Sequence, residues 1–490
     1  MFVLYKRFSY IFVIVFLFVF CIGLLIYFFY TTKFEKKDSV VKAETPLYSW
    51  AQLQNGPQRL GRSEENVTTP IKKAWVYGFS PERLGPFPQP VVADSKVFIG
   101  TLMGTFYAFD AAGRDSNGDG IGDKPIILKT YKAGGAITHT AGYENGTVFF
   151  GAMDGKVYAL NTSDLSEKWV FDSGESTGFS NAVLLSDNRV YITNRSGMTY
   201  ALSQTDGSVV WQRDVQTTVL MSSCLDNGKL YFGAMDMRVY ALDTTDGSVA
   251  WTSEPFPGTA FKDYWPVCYN NYVILRSYPQ TREKMATTIV DSIGPLPASE
   301  LNKQDSIISA YEGSKSYLKN LFILNQSDGQ EAFVVSHWVS NTHNGSVPPP
   351  AVDKEGKLII PVHLKKPDGT WGGSGWGRLD LTQRKVTDLL FDGTFKSGTD
   401  YKGTGNLDET LNVSTAGPLV FTFHVQEGNA HFTGMWNTDQ QVWTQEGAYY
   451  SDQYFWNNNQ SRGSSPVSIS NGMFFHNTVN NLNARVLTTP

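Results

Sequence analysis

The feature that most constrains the fold of this chain is an internal repeat. Four segments align: VFIGTLMGTFYAFD from Val97, VFFGAMDGKVYALN from Val148, VYITNRSGMTYALS from Val190 and LYFGAMDMRVYALD from Leu230. They recur about every 40 to 50 residues, the period of a unit that cannot bury its apolar face alone and must stack on its neighbours. Each segment reads as an alternating strand, a tight turn and a second alternating strand, with Asp154-Gly155 the clearest turn. A third strand follows in the phrases ALNTSDLSEKW (159–169), ALSQTDGSVVW (201–211) and ALDTTDGSVAW (241–251). With the strand that precedes each hairpin, the unit has four strands. Composition agrees: 45 glycines, 14% aromatic residues and only 18% charged residues describe many short strands joined by tight turns.

The closing phrases resemble the AxDxxTGxxxW motif of the pyrroloquinoline-quinone-type propeller repeat, with Ala201, Gly207 and Trp211, and Ala241, Asp243, Gly247 and Trp251, in matching places. Glycine there allows a backbone conformation closed to most residues, and the outer-strand tryptophan is expected to pack between neighbouring blades rather than to hold a ligand. FILNQSDGQEAF (322–333) fits the motif with Phe333 in place of tryptophan, and segments 358–388 and 420–443 each fit one further blade. The C-terminal stretch from Ser464 supplies three strands only, and IKKAWVYGF around Trp75 offers the missing fourth. The fold expected is therefore all-β: an eight-bladed propeller of four-stranded antiparallel blades over residues 49–490, its last blade closed by both chain ends. WAQLQNGPQRLGRS (50–63) is similar to the lead-in of exported members of this family.

Residues 10–30 (YIFVIVFLFVFCIGLLIYFFY) form an uncharged apolar run of about 21 residues, long enough for a helix to cross a hydrocarbon core of roughly 30 Å. It exceeds the apolar region of a cleaved signal peptide, so a single-pass anchor is expected. Residues 1–9 form a short cytoplasmic N-terminus, 31–48 a polar linker, and the propeller lies outside the cytoplasm, in a periplasm or at the cell surface. Lys6 and Arg7 on one side face Lys33, Lys36 and Lys37 on the other, so charge alone leaves orientation open; the family resemblance implies export. A net charge of −5 without basic clusters gives no electrostatic footprint for nucleic acid.

The sharpest local motif is DSNGDGIGD (115–123). Asp115, Asn117, Asp119 and Asp123 offer side-chain oxygens, Ile121 offers a carbonyl, and Gly120 permits the bend that a Ca²⁺ loop requires. Ile126 stands where an EF-hand has its bidentate glutamate, so a structural calcium site is expected rather than a sensor. The resemblance also raises quinone-dependent dehydrogenation of alcohols or sugars. The residues that hold that cofactor in the family do not map here, and no adjacent cysteine pair exists, so pyrroloquinoline quinone is not expected. Cys224 and Cys268 take equivalent places on innermost strands of consecutive blades and are read as two buried free thiols, a disulfide being the alternative in an oxidising compartment.

Binding is read from where the repeat is interrupted, at 279–318 in the fifth blade and 363–376 (HLKKPDGTWGGSGW) in the sixth. Trp265, His343, His363, Trp371 and Trp376 fall near that face and are the candidate contacts to a protein or polysaccharide partner. No catalytic residue is assigned. The function expected is a membrane-anchored binding scaffold, the alternatives being a quinoprotein dehydrogenase and a structural or adhesive surface protein.

Overall fold

The computed structural model describes residues 39–40, 48–67, 71–85, 87–278, 319–335, 348–365, 371–390, 413–427, 430–444, 466–477 and 480–487. Among the described residues eight blade sheets follow one another along the chain, and Ser39–Val40 pairs with Arg114–Asp115 in a ninth, two-stranded sheet. Blade 2 shows the common pattern: Gly142–Glu144, Thr147–Gly151, Lys156–Asn161 and Glu167–Asp172 pair in chain order from the innermost strand outward. Blades 1, 3 and 4 repeat it, beginning with Val91–Ala93, Leu184–Ser186 and Cys224–Asp226. Blade 5 has three regular strands, Val267–Tyr269, Tyr272–Arg276 and Leu321–Asn325; an isolated bridge from Leu324 to Glu331 stands for the fourth. Blades 6 and 7 begin at Ala351–Val352 and Val413–Ala416. In blade 8, Ile71–Gly78 pairs antiparallel with Asn481–Leu487, so the two ends of the described chain share one sheet. Joining the ends closes the ring and leaves no blade-wide sheet edge open.

Apolar side chains form clusters between neighbouring blades rather than one central core. Phe106 and Val148 meet between blades 1 and 2, Trp169 and Ile192 between blades 2 and 3, and Trp211 and Phe232 between blades 3 and 4. The repeated tryptophan fastens these junctions. Trp169 Nε1 donates to the Gln204 carbonyl at 2.9 Å, and Trp251 Nε1 to the Gln326 carbonyl at 2.9 Å. Gly207, at φ +73°, lies under Trp169, where a Cβ would meet the ring at 2.6 Å. Trp75 makes the same contact across the closure, donating to the Ala111 carbonyl at 3.0 Å.

The described parts of the stretch 363–376, residues 363–365 and 371–376, are strand rather than inserted loop. The second and third strands of blade 6, Leu358–Lys365 and Trp371–Asp380, run on as one long hairpin, with His363 opposite Ser374 and Lys365 opposite Trp371. The glycines read as a loop signal lie in extended strand instead, because ladder pairing across the hairpin satisfies their backbone groups. The other interruption, 279–318, lies outside the described residues. Among the described residues no helix is long and apolar enough to cross a membrane; the apolar run 10–30 lies outside them.

Candidate functional site: the axial strap and the loops around it

The innermost strand of each blade turns an edge toward the propeller axis, and those edge amides and carbonyls need partners. Residues 48–65 supply them in one circuit. The Ser470 hydroxyl of blade 8 donates to the Tyr48 carbonyl at 2.8 Å. Trp50 exchanges both backbone bonds with Val92 of blade 1, and Tyr143 N of blade 2 donates to Ala51 O. In blade 3, Leu185 N donates to Gln52 Oε1 at 2.9 Å and Gln52 Nε2 returns a bond to Leu185 O at 3.2 Å. Leu225 N then donates to Pro57 O, Cys268 N to Gln58 O, Val352 N to Leu60 O and Thr415 N to Gly61 O, in blades 4 to 7. Arg62–Ser63 adds a short parallel strand to Val413–Ala416, and the Glu65 carboxylate accepts from Gly472 N of blade 8.

This strap is buried. Leu53 and Arg59 are 0% exposed. Arg59 Nε donates to Ser223 O, Nη1 to Leu53 O and Nη2 to Val183 O, all within 3.0 Å, so one guanidinium ties the strap to itself and to blades 3 and 4. Burial pulls its pKa down to about 9. His139, also buried, accepts from Thr140 N through Nδ1 and has Nε2 3.3 Å from the Ser222 hydroxyl. Burial and then the nearby Arg59 charge hold its pKa at about 3, so the ring is neutral at physiological pH. Gln54 N donates to Gln89 Oε1, and Gln89 Nε2 donates to Val467 O, carrying the network across to blade 8. These are positioning contacts made mostly to backbone carbonyls.

The residues singled out by sequence fall in different surroundings. Trp265 and Trp376 are each 1% exposed and pack in interblade clusters, Trp265 against Tyr264 with ring centroids 6.1 Å apart. As placed, neither offers surface to a partner, because large aromatics are drawn into the apolar seams between blades. His363 and Trp371 lie on the two strands of the blade 6 hairpin, opposite Ser374 and Lys365 respectively, and His343 lies outside the described residues.

The loop 115–123 closes on itself. Asp115 Oδ1 accepts from Asn117 N and Gly118 N, and Oδ2 from Gly120 N. Asp119 Oδ1 accepts from Ile121 N, and both oxygens of Asp123 lie 2.7 Å from the Ser116 hydroxyl. Burial raises the Asp115 pKa, but the N–H groups of Gly120, Gly118, Asn117 and Asp119 outweigh it and hold the carboxyl low; the Ser116 hydroxyl and amide lower that of Asp123. Among the described residues no group of three or more His, Cys, Asp or Glu is gathered to hold a metal. The oxygens on which the calcium expectation rests, those of Asp115, Asn117, Asp119 and Asp123, accept from the loop's own N–H and O–H groups.

Cys224 and Cys268 form a disulfide between the innermost strands of blades 4 and 5, which corrects the free-thiol reading. Neighbouring inner strands bring their Cα atoms to 6.0 Å, inside the reach of a disulfide. The bond sits directly behind the strap, since Leu225 N and Cys268 N, next to or at the bridge, hold Pro57 and Gln58.

A ring of eight blades, several of its junctions fastened by tryptophan and a strap running along its axis, defines an eight-bladed β-propeller. A protein-family model described as outer membrane protein assembly factor BamB matches residues 67–254, and those residues carry repeats of the pyrroloquinoline-quinone type. The fold is similar to that of BamB from Moraxella catarrhalis, at 15% identity and TM-score 0.50, over 85% of this chain and all of that one. A europium-containing methanol dehydrogenase aligns at 10% identity and TM-score 0.55, over 91% of this chain and 99% of that one. The quinohemoprotein alcohol dehydrogenase of Comamonas testosteroni gives 11% and 0.53, over 91% and 82%. No curated protein matches the chain by sequence. At such identities the likeness is one of fold.

Proposed function

We propose that the protein is a membrane-anchored, extracytoplasmic scaffold that binds a protein or polysaccharide partner on one propeller face and performs no catalysis of its own. The observation that carries this reading is the strap. Residues 48–65 contact all eight blades, and Leu53 and Arg59 among them are fully buried, so the strap ties the ring into one rigid platform. The matching family description names an assembly factor, which supports a protein partner in an envelope. Anchoring rests on the apolar run 10–30. A disulfide between blades supports an oxidising compartment.

The test uses the full chain in detergent micelles. Photocrosslinking residues placed at His363 and Trp371 are expected to trap one partner in native membranes, while the same group at Val209 on the outer wall traps none. A second arm titrates pyrroloquinoline quinone with Ca²⁺ and follows the melting temperature and dye reduction by alcohols and sugars. A quinone-dependent stabilisation with turnover restores the dehydrogenase and removes the scaffold.

A further inference from the structure

Blade 1 carries an excursion that its neighbours lack. In blades 2 to 4 the third strand joins the fourth through 162–166, 204–208 and 244–248, whereas in blade 1 the connection runs from 111 to 126 and includes the loop 115–123. A short ladder forms its base. Arg114 N donates to the Lys124 carbonyl at 2.8 Å, and Lys124 N returns a bond to the Arg114 carbonyl at 3.1 Å. A ladder this small leaves an edge of backbone groups open to another strand. The chain's own linker takes that edge: Ser39 lies opposite Asp115 and Val40 opposite Arg114, antiparallel.

Successive strands of a blade run in opposite directions, so their connections open alternately on the two ends of the ring. The first-to-second and third-to-fourth connections share one end; the second-to-third connections and the links between blades share the other. The docked Ser39–Val40 is therefore at the first end. So is the start of the strap, where Tyr48 N donates to Asn471 Oδ1 at 3.4 Å in the first-to-second turn of blade 8. The connection that carries residues 279–318 leaves from the opposite end, between the second and third strands of blade 5. His363 and Trp371 stand near that opposite end too, beside the second-to-third connection of blade 6.

We propose that the excursion 111–126 is a docking edge for the chain's own linker, and that it holds the propeller with this end toward a lipid bilayer and the opposite end away from it. The inference rests on the reading of residues 10–30 as a membrane anchor. Ser39 follows Tyr30, the last residue of the apolar run, by nine positions, so even a fully extended chain spans at most about 30 Å between them. Undocked, the first fixed point would be Tyr48, twice as far along the chain, and the tether would leave the ring free to tumble. Docked, it brings the end that bears the loop 115–123 close to the headgroups. Met103, at the other end of blade 1, then stands farther out by at least the strand Thr105–Asp110, about 20 Å. Partners that bind beside His363 and Trp371 meet a face turned away from the membrane.

The test places the full chain, with Cys21→Ser so that each dye attaches once, in phosphatidylcholine nanodiscs whose headgroups carry an acceptor dye. A donor dye on Asp119→Cys is expected to transfer energy at least twofold more efficiently than one on Met103→Cys, a position 55% exposed in the native chain. Ser39→Pro/Val40→Pro removes two N–H donors from the linker and touches no blade, so it should erase that difference and leave the melting temperature of the propeller unchanged. Docking is read separately in detergent micelles: Val40→Cys/Arg114→Cys should crosslink on mild oxidation, and Val40→Cys/Lys229→Cys should not. Equal transfer from the two dyes, stronger transfer from Met103→Cys, or a difference that survives the proline pair overturns the orientation. Failure of the Val40–Arg114 crosslink overturns the docking edge. A chain that crosslinks but does not enter nanodiscs removes the membrane anchor, and the orientation with it.

Discussion

Trp211 Nε1 donates to the Thr244 carbonyl at 2.8 Å, across the junction of blades 3 and 4, while its ring lies on Gly247. Two ends of the same short motif, one from each blade, thus make one joint.

That joint should answer to both partners. Trp211→Ala is expected to cost about 3–5 kcal/mol for the lost ring and the void. Trp211→Phe keeps most of the packing and loses the hydrogen bond, about 1 kcal/mol. Gly247→Ala strains a residue at φ +73° and drives a Cβ to 2.5 Å from the Trp211 ring, so it destabilises although it adds only a methyl group. Urea unfolding of the three variants ranks them; a neutral Gly247→Ala contradicts the joint.

The disulfide closes a loop with a sequence separation of 44 residues. In the chain-entropy view such a crosslink stabilises by about 4 kcal/mol. Cys224→Ser/Cys268→Ser is therefore expected to melt well below wild type, and reductant should lower the wild-type melting temperature without affecting the variant. Equal melting of the two proteins, with and without reductant, would argue against the bridge.

Acid should destabilise the protein through its buried histidines. Burial, with the charges of Arg59 and Arg485 respectively, depresses the pKa of His139 and His476 to about 3 from an ordinary 6.5. Between those values the unfolded chain takes up protons that the folded one refuses, so stability is full above about pH 7 and falls as pH drops. Each histidine costs on the order of 2 kcal/mol at pH 5. Urea midpoints at pH 7.5 and 5.0 measure the fall, and His139→Gln should shrink it by about half. A flat profile in wild type rejects the assignment.

The loop 115–123 is expected to be stabilised by its own hydrogen bonds. Asp115→Ala removes the acceptor for three backbone N–H groups and should lower the melting temperature equally with and without EDTA, while EDTA alone leaves wild type unchanged. A drop on adding EDTA that Asp115→Ala abolishes would restore a cation to the loop.

Much of the architecture was legible because it is written in short local phrases. The Ala-to-Trp phrases 201–211 and 241–251 hold strand, turn and docking residue within one window, so their period exposes the blades. The disulfide was harder. Whether Cys224 reaches Cys268 depends on the spacing of two inner strands, which no local pattern states. Trp265 and Trp376 misled for a related reason: an aromatic in or near a strand looks the same in sequence whether it faces a partner or a seam.

The sequence by itself determined the repeating four-stranded unit, the tryptophan of its outer strand and the completion of the last blade by Trp75, since each rests on pairing within one unit or on an unmatched strand. Tertiary structure alone decided the rest. The strap has no apolar period; its order comes from eight separate strand edges, each offering hydrogen bonds only once the ring has closed.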